Sequence, residues 1–160
     1  MVTIEDSTII RAPIERCFDL ARSVEVHLAG NVHFGEQAVA SAGVTSGLIG
    51  MAQGVNWRAK HFGVRHNLTS EITGPESTRL VSGHHDSGNF PIHEARSFLS
   101  SSGPGGNGMK DVFCFAAPLP FLGRLAEVTF LGRYMQVLLR ERNAVIKEMA
   151  ESSDWQRYLP

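Results

Sequence analysis

Cysteine is scarce in this chain. Only Cys17 and Cys114 occur among 160 residues, and neither has a second cysteine nearby at zinc or redox spacing. A disulfide scaffold and a structural zinc knuckle are therefore not expected, and both thiols read as free and buried. Charge is also thin: charged residues make up 19% of the chain and the formal net charge is −1. No basic field exists to gather phosphates, so nucleic acid is not an expected partner. Long apolar runs are missing as well, the best candidates being broken by Pro118, Pro120 and Gly123. None approaches the ~18 residues of a membrane span. The start, MVTIEDS, carries Glu5 and Asp6 where a secretory signal has a basic end and an apolar stretch. A cytoplasmic chain with no membrane span is expected. What is present suits a folded domain: 42% hydrophobic residues, and a length of 160 that fits one domain over residues 1–160 with a real core. Histidine is the oddity, with 7 copies lying between His27 and His93.

Patterning along the chain gives an order of elements. Ile4 to Ala12 is rich in β-formers and ends at Pro13, a residue accepted in the first turn of a helix. Ile14, Cys17, Phe18 and Ala21 recur at three and four, predicting a short helix that ends near Arg22, with a second over Val24 to Ala29. Glu36 to Ser41 reads as a brief strand. Gly43 to Gly54, with Gly47 and Gly50 between, has no period and reads as a mobile loop. Val55 to Phe62 and Val64 to Thr73 alternate around Gly63 and predict a hairpin. A turn at Gly63 and Val64 pairs Phe62 with Arg65, His61 with His66, Ala59 with Leu68 and Trp57 with Ser70. Thr78 to His85, Ile92 to Ser100 and Met109 to Ala117 follow as strands, the last with Met109, Asp111, Phe113 and Phe115 on one face. Leu125, Val128, Leu131, Met135, Leu138, Arg142, Val145 and Met149 then predict one long amphipathic helix.

One helix cannot fill the concavity of a curved antiparallel sheet, so a cavity between the two is expected. The order, and the stretches CFDLARSVEVHLAG, GEQAVASAGVTSGLIG, VNWRAKHFGVRHNLTSEITGP, GMKDVFCFAAPLPFLGRLAEVTFLGRYM and LLRERNAVIKEMAES, resemble the START-like SRPBCC superfamily, in its bacterial polyketide cyclase/dehydrase-like and ligand-binding group. The resemblance covers nearly the whole chain. It implies an α+β helix-grip fold: a curved antiparallel sheet of about six or seven strands wrapped around a long C-terminal helix, with two short helices after the first strand. Relatives of this kind typically carry G-x-F-x-x-aromatic-x-His-x-His on a late strand. Here Gly88, Phe90, His93, Ala95 and Ser97 stand in those places, so the two histidines are absent and the pocket is re-cut.

Three functions follow from these readings. The first is binding of a hydrophobic or partly oxygenated small molecule, such as a lipid, isoprenoid or polyketide-like compound. Trp57, His85, Phe90, His93, Phe113, Phe115 and Tyr134 are its candidate ligand contacts, or else they fill a solid core. The second is a cyclase, aromatase or dehydratase in which His61, His66 or His27 moves protons and Asp111 orients one of them. His27 and Glu36 flank the second helix and form a candidate pair there. Asp111, on an apolar face, needs a partner, and Arg142 or an inward histidine can serve. The third is a co-chaperone-like interaction module, which needs an apolar outer face; Arg58, Lys60, Arg65, Glu71, Glu94 and Arg96 make that face polar. Neither a metal nor a cofactor is implied: zinc at His61 and His66 would want His85 or His93 as a third ligand, and the resemblance argues against it. The partner is a small hydrophobic ligand, and the chain is expected as a monomer or homodimer.

Overall fold

The computed structural model describes residues 2–32, 37–39, 43–51, 53–61, 64–71, 82–84, 92–101, 106–115 and 132–159. Of these, 2, 39, 59–61, 64–71, 82–84, 92–96, 98, 101 and 115 are described by their backbone alone. Strand β1 (Val2–Ile10) leads into helix α1 (Ile14–Ala21) and helix α2 (Val24–Gly30). Strands β2 (Gln37–Val39), β3 (Gly54–His61), β4 (Val64–Glu71), β5 (Ser82–His84), β6 (Ile92–Ser101) and β7 (Asn107–Phe115) follow. The described part of the long helix, α3, is Gly132–Glu151, and a 3-10 turn at Asp154–Arg157 comes after it. At ~1.5 Å per residue, its 20 residues extend about 30 Å. The predicted start of that helix, at Leu125, lies outside the described residues.

All pairings are antiparallel, in the orders β1-β7-β6 and β2-β3-β4-β5, and β5 lies beside β6. Helix α3 packs on β1, α1 and α2. The alternation of β1 decides its faces: Ile4 and Ile10 are buried while Thr3, Glu5, Ser7 and Ile9 are exposed. In β7 the predicted face is found inward, with Met109, Asp111 and Phe113 all buried. Proline 13 stands at the N-cap of α1 with φ −53°, a value its ring fixes in advance. The Ser23 hydroxyl caps α2 by accepting from the Val26 N–H at 3.4 Å, so the chain turns a corner between two helices within two residues.

Three expectations need correction. The β3–β4 register places His61 opposite Val64, Ala59 opposite His66 and Trp57 opposite Leu68. His61 and His66 are therefore not cross-strand partners. Val64 is β-branched and suits a strand better than a turn position with positive φ, and each β3 residue meets the β4 residue two places earlier than a Gly63-Val64 turn would give. The stretch from Gly43 to Gly54 is irregular as expected, yet it is anchored. Val24 N–H donates to Gly47 O at 3.0 Å, Ile49 N–H to Arg22 O at 3.0 Å, and Gly47 N–H to Glu25 Oε1 at 2.8 Å. Arg22 Nη1 adds a bond to Ile49 O at 3.0 Å, and Ile49 is buried. Along α3 the deepest stripe is Met135, Leu139, Asn143, Ile146 and Ala150, one position round from the predicted Leu138, Arg142, Val145 and Met149, which are half-buried. A polar residue, Asn143, sits in the middle of the deepest row and hides it from a hydrophobicity pattern.

Candidate functional site

Two groups of side chains stand out on the inner faces. The first joins β7 to α3. Asp111, 2% exposed, is directly opposite Asp6 across the β1–β7 pair. An ionised carboxylate this deep must be fully hydrogen-bonded or it is too costly to keep. Three side chains meet the need. Arg142 Nη2 donates to Asp111 Oδ1 at 2.7 Å, the Ser97 hydroxyl on β6 donates to the same oxygen, and Asn143 Nδ2 donates to Oδ2 at 2.6 Å. Arg142 Nη2 also reaches Ser97 Oγ at 3.1 Å, and Asn143 Nδ2 reaches Asp6 Oδ2 at 3.2 Å. Arg140 lies 3.4 Å from Asp6 Oδ1. Two carboxylates are thus matched by two guanidinium groups, with the Asn143 amide bridging the carboxylates. Beside this cluster, Ile4, Phe113, Met135 and Leu139 form an apolar group with Tyr134 and Leu138 against it.

The second group lies under α2. Trp57 is 1% exposed and packs with Val24, Ile49 and Val55, while Leu28, Ala38 and Val44 close over them. The His27 ring stacks on Trp57, with centroids 3.9 Å apart and planes at 21°. Asn31 Nδ2 stands 3.0 Å from His27 Nε2. An amide nitrogen can only donate, so with this amide orientation Nε2 is the acceptor and the neutral ring carries its proton on Nδ1. That engages the Nε2 lone pair a general base at this nitrogen would use.

The predicted residues are therefore brought together in part. Asp111 meets Arg142, one of its two expected partners. Phe113 and Tyr134 share one apolar group, and His27 and Trp57 form a stack whose contact the sequence did not foresee. His61 and His66 occupy β3 and β4 in the register given above. His93 falls at the irregularity in β6 between Ile92 and Glu94, and Phe115 ends β7 opposite Val2 and Ile92. His85, Phe90 and Glu36 lie outside the described residues. Sequence reasoning missed Asp6, Asn31, Asn143 and a partner role for Ser97. A signal existed for two of them: Asp6 alternates with Ile4, and Asn143 is four residues after Leu139 and three before Ile146. Among the described residues no group of three or more His, Cys, Asp or Glu is placed to hold a metal ion.

No family model and no curated protein matches the chain. Solved structures do. A START superfamily protein from Mycobacterium smegmatis superposes with a TM-score of 0.64 at 11% identity, covering 93% of this chain and 97% of its own. Ara h 8.0201 gives 0.53 at 13% identity over 91% of this chain and 97% of its own. The AHSA1-like protein from Aeromonas hydrophila gives 0.52 at 17% identity over 94% and 96%. Likeness at this identity is likeness of fold. The chain has the helix-grip fold of these structures: an antiparallel sheet around a long C-terminal helix, with two short helices after the first strand. Among the described residues no helix is long and apolar enough to cross a membrane.

Proposed function

We propose that the protein binds a hydrophobic, partly oxygenated small molecule of the lipid, isoprenoid or polyketide-like kind between its sheet and α3. The observation that supports this reading is the mixed character of the facing surfaces of β7 and α3. An apolar and aromatic group built on Phe113, Met135 and Leu139 adjoins a buried, hydrogen-bonded set at Asp111, Arg142 and Asn143. A solid core has little use for such a polar set, whereas a ligand pocket needs apolar walls and a few fixed polar groups. In this proposal Phe113 and Tyr134 form the wall beside α3, and Trp57, His85, Phe90, His93 and Phe115 complete it. A cyclase-type reaction is the weaker alternative. It asks Asp111 to orient a histidine, and the described partners of Asp111 are Arg142, Asn143 and Ser97.

Native mass spectrometry of protein isolated gently from its source tests the proposal. A retained mass of a few hundred daltons that organic solvent releases is expected, with a change in tryptophan emission when it is removed that Trp155→Phe preserves. Protein that arrives empty and then takes up no hydrophobic probe would sink the reading.

A further inference from the structure

The polar cluster leaves one acceptor and one donor over. Asn143 is 1% exposed, and its Nδ2 donates to both Asp111 Oδ2 and Asp6 Oδ2. Those two carboxylates fix the amide's orientation, because turning it over would set its oxygen against both of them. Asn143 Oδ1 is then buried without a hydrogen-bond partner among the described residues. Arg142 uses Nη2 for both Asp111 and Ser97, and its Nε is buried and also without a partner among the described residues. Since Nη2 of Arg142 and Nδ2 of Asn143 hold the two oxygens of one carboxylate, the spare donor and the spare acceptor belong to groups that meet at Asp111. The Arg142 stem also lies close against α2. A Cβ on Gly30 would come within 3.2 Å of Arg142 Cα and 3.3 Å of its Cγ, so α2 holds that residue closely.

We propose that Asn143 and Arg142 form an anchor for a ligand hydroxyl, alcoholic, phenolic or enolic. Asn143 Oδ1 accepts the hydroxyl proton, and Arg142 Nε–H donates to the hydroxyl oxygen. This rests on the binding reading above and names the polar group that its ligand carries. Local charge selects a neutral group. Asp111 is matched by Arg142 and Asp6 by Arg140, so the cluster is balanced before any ligand arrives. A ligand carboxylate would add an uncompensated negative charge beside two others and has no proton to give Oδ1. An ammonium group has no lone pair for Nε. A hydroxyl satisfies both positions at once, and leaving either unmade in a buried site is unfavourable.

The test titrates the intact protein with probes that share a skeleton: naphthalene, 2-naphthol and 2-naphthoate in one series, and decane, decanol and decanoate in the other. Asn143 side-chain amide N–H signals are followed by NMR. In a skeleton that binds, the hydroxyl probe should bind about tenfold more tightly than the hydrocarbon, the worth of one good hydrogen bond. It should also outbind the carboxylate, and it alone should shift the Asn143 signals. Arg142→Lys keeps a cation for Asp111 and removes Nε; it should lower the ratio of hydroxyl to hydrocarbon affinity toward one, read within the variant. Equal binding of hydrocarbon and hydroxyl probes, tighter binding of the carboxylate, or Asn143 signals unmoved by a bound hydroxyl probe each overturn the anchor and leave the binding reading standing. Failure of every probe in both series overturns the binding reading and the anchor with it.

Discussion

Asp111 shows how a single residue can be read from its surroundings before its partner is known. On a strand face shared with Met109 and Phe113, a carboxylate had to be paired, and Arg142 was within the short set of residues able to do it. Removing one member should expose the cost of the other. Asp111→Ala strands the Arg142 guanidinium and should destabilise the protein by about 3 kcal/mol, at the lower end for buried pairs because the Arg142 side chain is 18% exposed. Replacing both by leucine should recover part of that loss. Denaturant unfolding of Asp111→Leu, Arg142→Leu and the double variant measures the coupling, and strictly additive losses would refute it. The two thiols offer a simpler contrast. Cys17 is fully buried, and that burial pushes its thiol above the ordinary value, whereas Cys114 is half-buried beside Thr3. An aromatic disulfide reagent should label Cys114 in the folded protein and reach Cys17 only as fast as the chain opens.

Between elements the close contacts set what can change. Alanine is the better helix former by about 1 kcal/mol, so Gly30→Ala on α2 would stabilise an isolated helix. Here the new Cβ meets Arg142 Cα at 3.2 Å, and backbone cannot yield as a side-chain tip can. Gly30→Ala should therefore lower the melting temperature and disturb the Arg142 contacts, and a rise in melting temperature would show that α2 and α3 have room to separate. The Gly43 to Gly54 stretch gives a second case. Gly43 has φ +107° and its added Cβ would fall 1.9 Å from Gly54 O, while Gly47 at φ +76° has open space around it. Gly47→Ala should cost about 1 kcal/mol from backbone strain alone, and Gly43→Ala clearly more. Thermal melts of the two variants decide the order. These elements were legible in the sequence to differing degrees. Ile14, Cys17 and Ala21 announced α1, and the alternation in β1 and β7 announced their inner faces. The spacing of Asn143 from Leu139 and Ile146 marked its inward position, but its role was not legible, because its polarity is explained only by Asp6 and Asp111, which are distant in sequence and adjacent in space. The anchoring of the glycine-rich stretch was hidden for the same reason: its partners are backbone groups of Arg22 and Val24 and the carboxylate of Glu25, and backbone groups leave no mark on residue type.

On the scale of the molecule, the chain's first strand and its last helix close on each other. Lys147 Nζ donates to Ile9 O and, at 2.9 Å, to Glu151 Oε1, and the Arg11 N–H donates to that same carboxylate oxygen at 2.8 Å. Arg16 lies over the Trp155 ring at 4.4 Å from its centroid, tying α1 to the turn after α3. The sequence pointed to the strand, the helices and their order, but it held nothing to say that Glu151 would cap the exit of β1. This junction makes stability depend on acid. The Arg11 backbone N–H, and after it the Lys147 side chain, hold the Glu151 carboxyl below its ordinary value of 4.5. A group depressed on folding binds its proton more weakly in the folded chain than in the unfolded one. Its stabilising contribution is therefore complete above the ordinary value and disappears as pH falls through the folded value. Glu151→Gln keeps an oxygen for the Arg11 N–H and removes the charge. Urea midpoints of the natural protein and this variant should differ by a constant amount from about pH 7 down to about pH 5, then converge toward about pH 3 as the carboxylate is protonated. A difference that stays constant to the acid end, or grows there, would mean that Glu151 contributes by shape and not by charge, leaving the Lys147 bond to Ile9 O and the Arg16 contact with Trp155 to hold this junction.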